Sequence, residues 1–176
     1  MAVKRDVPNL RRRRLVRIFE RSVLQSHDPR AFRVVHYCLM HNHFHIVVEA
    51  RDRIALARGM QRLNIRVAKR VNREVGRGVR VFADRYHRHD LRTPLEVRRA
   101  IRYVLLNRHM WLERRGRSRE LTGIDAGSSG RWFQGWTRPQ PAARDGPVVL
   151  PATTWLLRVG WQRWGRIETP PEGRLR

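Results

Sequence analysis

Acidic residues are scarce in this chain, cysteine is almost absent, and no long apolar run occurs. Aspartate and glutamate total 15 against 39 lysines and arginines, leaving a formal net charge of +24 on 176 residues. Self-repulsion of that size calls for an anionic partner, and the phosphate backbone of a nucleic acid supplies one. A single cysteine, Cys38, excludes an intrachain disulfide framework and a four-cysteine zinc site, so a reducing, cytoplasmic setting is expected. No stretch approaches the roughly 18–20 continuous apolar residues of a membrane span, and the first residues lack the apolar run of a signal peptide. No membrane association is expected. What is present is a hydrophobic content of 41%, enough to build a core for one domain with an appended segment.

Periodicity supplies the elements. Residues 10–26 carry apolar side chains at helical spacing between arginines, and His27-Asp28-Pro29 stops that helix. Residues 32–40 are rich in β-branched and aromatic types and read as a strand. After a turn at His41-Asn42, residues 43–49 alternate as a second strand, completing a hairpin. A long basic helix is predicted over 54–75, ended by Gly76 and Gly78. Residues 79–91 look extended. At Thr93-Pro94-Leu95-Glu96 the residue types suit a capping box with proline in the first turn, opening a helix to about Leu112. Glycine, serine and proline then dominate up to a short tryptophan-bearing helix near 154–164. The order implies an α+β fold with helices packed on one face of an antiparallel sheet. If residues 1–5 end a first strand, the order is that of a ferredoxin-like sheet with an extra helix. The expected division is a folded domain over 1–115 and a basic, tryptophan-rich extension over 116–176.

Two histidine pairs stand out. Side chains alternate along a strand, so Phe44, Ile46 and Val48 share one face while His43, His45, Val47 and Glu49 share the other. The apolar face should pack on helices, which projects two imidazoles from the opposite side at a spacing that lets both reach one ion. Taken alone, the pair reads more readily as two partly exposed histidines on a sheet. A second pair, His87-Arg88-His89, lies among charges with no apolar alternation and reads as a solvated or phosphate-contacting strand. On the capped helix, Tyr103 lies off the stripe of Val97, Ile101, Val104, Leu105 and Leu112, with Asn107 four residues on and beside it. By itself Tyr103 reads more readily as a helix-edge side chain. A phenol is a weak nucleophile, and a metal that polarises a phosphate assists it. Two imidazoles plus the Asn107 carbonyl form a mixed nitrogen and oxygen set suited to Mg²⁺ or Mn²⁺.

The run Tyr37-Cys38-Leu39-Met40-His41-Asn42-His43-Phe44-His45-Ile46-Val47-Val48 resembles the signature of the REP-associated tyrosine transposases, single-strand insertion-sequence enzymes of the HUH superfamily. Asp84-Arg85-Tyr86 and Tyr103-Val104-Leu105-Leu106-Asn107 resemble the pieces that follow in that family, and the match in order and spacing covers about residues 32–112. The resemblance implies that His43 and His45 bind the metal, that Asn107 is the third ligand, and that Tyr103 forms a 5′-phosphotyrosine and releases a 3′-hydroxyl. It implies a single-stranded DNA partner, often hairpin-forming. Three departures mark this chain: His41 stands where the family usually has proline, Arg108-His109 replaces a Pro-Val pair, and the family's first strand begins several residues before Met1.

Arg62, Arg66, Lys69 and Arg70 on the long helix, with Arg85 and Arg88 beyond it, are the candidate phosphate contacts. Five of the six tryptophans follow residue 130, either stacking on unpaired bases or, the preferred reading, with Trp155 and Trp161 pinning the tail to the core. Two rivals remain: a DNA-binding protein of the same fold without nicking activity, and a metal-dependent RNA endonuclease that needs a 2′-hydroxyl. Monomer and homodimer are equally open.

Overall fold

The computed structural model describes residues 1–78 and 80–171. Two strands, β1 (Phe32–Leu39) and β2 (Phe44–Ala50), pair antiparallel from Phe32 opposite Ala50 to Leu39 opposite Phe44. The register shifts between Val34 and His36, where Val35 is the extra residue of a bulge. That bulge lets Phe32 and Val34 join Tyr37 and Leu39 in one core, while Val35 and Cys38 enter another. Without it the alternation would put these two halves of β1 on opposite faces.

Helices cover both faces. Helix α1 (Arg13–Leu24) and helix α2 (Arg53–Val75) pack on the face bearing Phe44, Ile46 and Val48, through Leu15, Phe19, Leu63 and Val67. Asp52 caps α2 by accepting from the Ala55 amide, and Gly76 ends it at φ 70°, a left-handed conformation that suits glycine. Helix α3 (Pro94–Glu113) packs on the other face, setting Val97, Ile101, Val104 and Leu105 against Val35, Cys38, Met40 and Val47. Its capping box is complete: Thr93 accepts from the Glu96 amide, and the Glu96 carboxylate accepts from the Thr93 amide.

The α+β expectation holds, with α3 as the extra helix. Residues 2–4 lie beside β2 and beside residues 81–83, through a bridge from Ala2 to His43 and another from Val3 to Phe82. The extended segments therefore run fourth, first, third, second across the sheet, the ferredoxin-like order. The extended stretch anticipated over 79–91 shortens to this pairing. Beyond Ala83 the backbone is irregular: the pairing with residues 2–4 ends where the Ala83 amide donates to the Ala2 carbonyl. Val79, the start of that stretch, lies outside the described residues.

The chain after residue 115 is built into the same core. A second helix-and-turn unit, α4 (Trp155–Arg158) with a 3-10 turn (Gly160–Trp164), supplies Leu157 and Trp161 to the α3 cluster, beside Trp136 and Ile167. Trp161 does pin this segment, but Trp155 does not: its ring sits on the solvent side of a four-residue helix whose buried residue is Leu157. The Arg11 guanidinium donates to both oxygens of buried Asp125, at 2.9 and 2.5 Å, and to the Leu39 carbonyl. The free edge of β1 is covered too: the Leu39 amide donates to Gly127, Tyr37 to the Ser129 hydroxyl, and the Leu150 amide to the Val34 carbonyl.

Candidate active site

β2 and the turn before it set the two imidazoles side by side. The His43 and His45 rings lie 4.9 Å apart at 89°. His43 Nδ1–H donates to Asn42 Oδ1 at 2.9 Å, which fixes the ring and leaves Nε2 as its lone-pair nitrogen. Asn42, read from sequence only as a turn residue, thus orients a candidate ligand. Burial lowers both imidazoles, and the neighbouring positive groups lower His45 further, to about 4, so both are neutral near pH 7. His45 Nε2 is buried without a hydrogen-bond partner among the described residues. An orphaned buried nitrogen on a neutral ring is what a bound cation would satisfy, and His43 and His45 offer it two nitrogen donors.

Tyr103 reaches the same place from α3. Its ring packs edge-on to His45, centroids 5.0 Å apart at 79°, while the side chain stays 46% exposed. A strand and a helix joined only through the core therefore converge a phenol and two imidazoles. Asn107, one turn further along α3, is 4% exposed and makes no hydrogen bond to either imidazole among the described residues. Among those residues no three His, Cys, Asp or Glu side chains gather as a ready cation site.

His45 and Tyr103 open on a cleft of about 910 Å³. Its far wall is the irregular segment holding the second histidine pair, His87-Arg88-His89, which is exposed, with Arg88 paired to Asp90 at 3.0 Å. Arg85 is exposed on the same segment but does not line the cleft. Arg53 and Arg99 do line it. Arg99 lies four residues before Tyr103, and that helical spacing was the available signal. Arg62, Arg66, Lys69 and Arg70 do not line the cleft. Arg70 donates to Ser22 Oγ at 2.9 Å and to Gln25, and Arg62 approaches Asp28 at 3.9 Å, so part of the basic stripe ties α2 to α1 and to the loop that follows it.

Glu49, on the strand face shared with His45, holds the wall that packs beside α3. Its carboxylate accepts from the amides and hydroxyls of both Thr153 and Thr154, at 2.6–2.8 Å. Those bonds place α4, whose Leu156 and Leu157 also line the cleft.

Comparison with known proteins adds the family. No curated protein and no solved structure matches the chain. The sequence profile of the IS200-like transposases matches residues 8–104, more than half of the chain, a stretch that contains His43, His45 and Tyr103 and ends before Asn107. A role in DNA transposition, with DNA as partner, follows from that match, and no helix among the described residues is long and apolar enough to cross a membrane. The chain belongs to the family of IS200-like transposases.

Proposed function

We propose that this protein nicks and rejoins single-stranded DNA through Tyr103, as a member of the REP-associated tyrosine group within its family. The contact of Tyr103 with His45, at 5.0 Å between centroids, carries the reading. Tyr103 Oη attacks the scissile phosphorus. The bond to the 3′-oxygen breaks, the phenol gives up its proton and the leaving oxygen takes one up, which yields a 5′-phosphotyrosine and a free 3′-hydroxyl. Rejoining is the same exchange reversed, so bond energy is conserved and no nucleotide cofactor is consumed. A divalent cation, Mg²⁺ or Mn²⁺, held by His43 and His45 with the Asn107 carbonyl, would polarise the phosphate and offset its charge. Arg99 and Arg53 at the cleft, with Arg85 and Arg88 on the facing segment, steer and hold the backbone. Arg66 and Lys69 extend the basic track along α2; Arg62 and Arg70 join it if DNA displaces their present partners. Residues 1–115 carry the chemistry and 116–176 complete its surroundings. The protein acts as a monomer or homodimer on hairpin-forming strands.

The test is trapping of a covalent adduct on a labelled hairpin oligonucleotide with Mn²⁺. Wild type should form one and Tyr103→Phe none; an adduct with Tyr103→Phe removes Tyr103 as nucleophile. A second reading, DNA binding in the same fold without nicking, draws on the burial of Asn107 away from the cleft. It requires tight binding with no adduct at any metal concentration.

A further inference from the structure

Of the five tryptophans in the last segment, Trp132 is partly buried and the other four divide sharply. Trp136 and Trp161 are 2% and 3% exposed, whereas Trp155 and Trp164 are 51% and 57% exposed. An exposed indole is common on a floppy loop, but these two are held. Glu49 grips Thr153 and Thr154 immediately before Trp155. Trp161, between them, is buried in the α3 core. Arg98 of α3 donates to the carbonyls of Gly165 and Arg166, both at 3.1 Å, just after Trp164. The Trp155 ring lies directly on Gly160: a methyl group there would stand 2.7 Å from its six-membered ring. The Arg163 guanidinium sits over the same ring at 5.0 Å from the centroid, and Arg158 is exposed on the same short helix. Adjacent Leu156 and Leu157 line the Tyr103 cleft.

We propose that Trp155 and Trp164 form a stacking platform for the unpaired bases of single-stranded DNA running out of the Tyr103 cleft. The Trp155 plane, held on Gly160 beside the Arg163 guanidinium, and the exposed Trp164 plane on the anchored backbone suit base faces, which every base offers. A duplex hides its base faces in the stack, so the platform discriminates strand state and not sequence. The inference rests on the single-stranded partner proposed above but not on Tyr103 chemistry.

The test uses the full chain carrying Tyr103→Phe, without added metal, and a labelled dT oligonucleotide of about 16 nucleotides, the upper site size of a stacking groove. Trp155→Ala and Trp164→Ala should each weaken binding roughly 5- to 100-fold, the range seen for loss of one stacked base. Trp155→Phe should retain most of the affinity, and Gly160→Ala, which displaces the ring without removing it, should weaken it. Affinity for a duplex of equal length should stay within about twofold, since phosphate contacts remain. Unchanged dT affinity in both alanine variants overturns the proposal, as does an equal fall on single strand and duplex. So does unchanged DNA binding accompanied by a smaller oligomer, which would make the surface a protein interface. If the Tyr103→Phe chain ignores dT altogether, the single-stranded partner itself is wrong and the platform falls with it. If it binds dT while the unsubstituted chain forms no adduct, the nicking reading fails and the platform stands.

Discussion

The chain writes His-x-His twice, and the two copies fare differently. His43 and His45 sit at the start of a paired strand, one ring oriented by Asn42, the other half-buried against Tyr103 with a buried, unsatisfied nitrogen. His87 and His89 sit on an irregular segment, exposed, facing the same cleft from its far wall. Spacing is identical, so the motif itself carries little information. What separates the pairs is the backbone that holds them: a ladder partner fixes where an imidazole points, and an unpaired segment does not.

That contrast can be broken by substitution. His45→Ala should lower the rate of adduct formation about 100-fold or more, at least the loss that follows removal of a ligand's supporting partner. His89→Ala should cost less than about fivefold, in DNA affinity and not in the rate at saturating DNA. Equal losses would erase the distinction. Asn107→Ala comes next, about 10- to 100-fold, read as a higher Mn²⁺ requirement that excess metal partly relieves. An unchanged metal dependence would take Asn107 out of the ligand set.

Glu49 tests whether the strand must be braced to matter. Burial opposes ionisation of its carboxyl, but the bonds from Thr154 and Thr153 outweigh it and hold it below its ordinary value of 4.5. The unfolded chain therefore takes up this proton first as pH falls. Its contribution is complete above 4.5 and is lost as pH drops through the depressed folded value. Glu49→Gln should cost about 1–2 kcal/mol in denaturant unfolding at neutral pH and flatten the acid limb of the stability curve. Arg88→Ala is the smallest effect: a few-fold weaker binding, with the log–log salt slope reduced by about 0.7 for one lost single-strand phosphate contact.

The local signals were readable. Thr93-Pro94-Leu95-Glu96 predicts the start of α3 to the residue, because a capping box is a contact among four neighbours. Gly76 ends α2 for an equally local reason. The His43, His45 and Tyr103 convergence was legible through the resemblance and the strand alternation together. The bulge at Val35 was not, its one trace being that Arg33 and His36, three residues apart, would fall on opposite faces of a regular strand. Nor were the partners of Arg70 and Arg11: Ser22 lies 48 residues from the first and Asp125 lies 114 from the second. A charge pattern shows that arginines are plentiful but not which are engaged within the fold. Trp155 and Trp161 look alike in sequence, and only the packing of the short helix tells the exposed ring from the buried one.

The cover over the outer edge of β1 has a consequence for self-association. Bare strand edges recruit other strands, and the N–H and C=O row of β1 would be one if residues 127–129 and 150 did not occupy it. Two copies of the protein therefore have no route to a continuous sheet through β1. Removing the chain beyond residue 126 would reopen that row while the apolar face of α3 lost Trp136, Leu157 and Trp161. Such a fragment should precipitate before it reports on DNA.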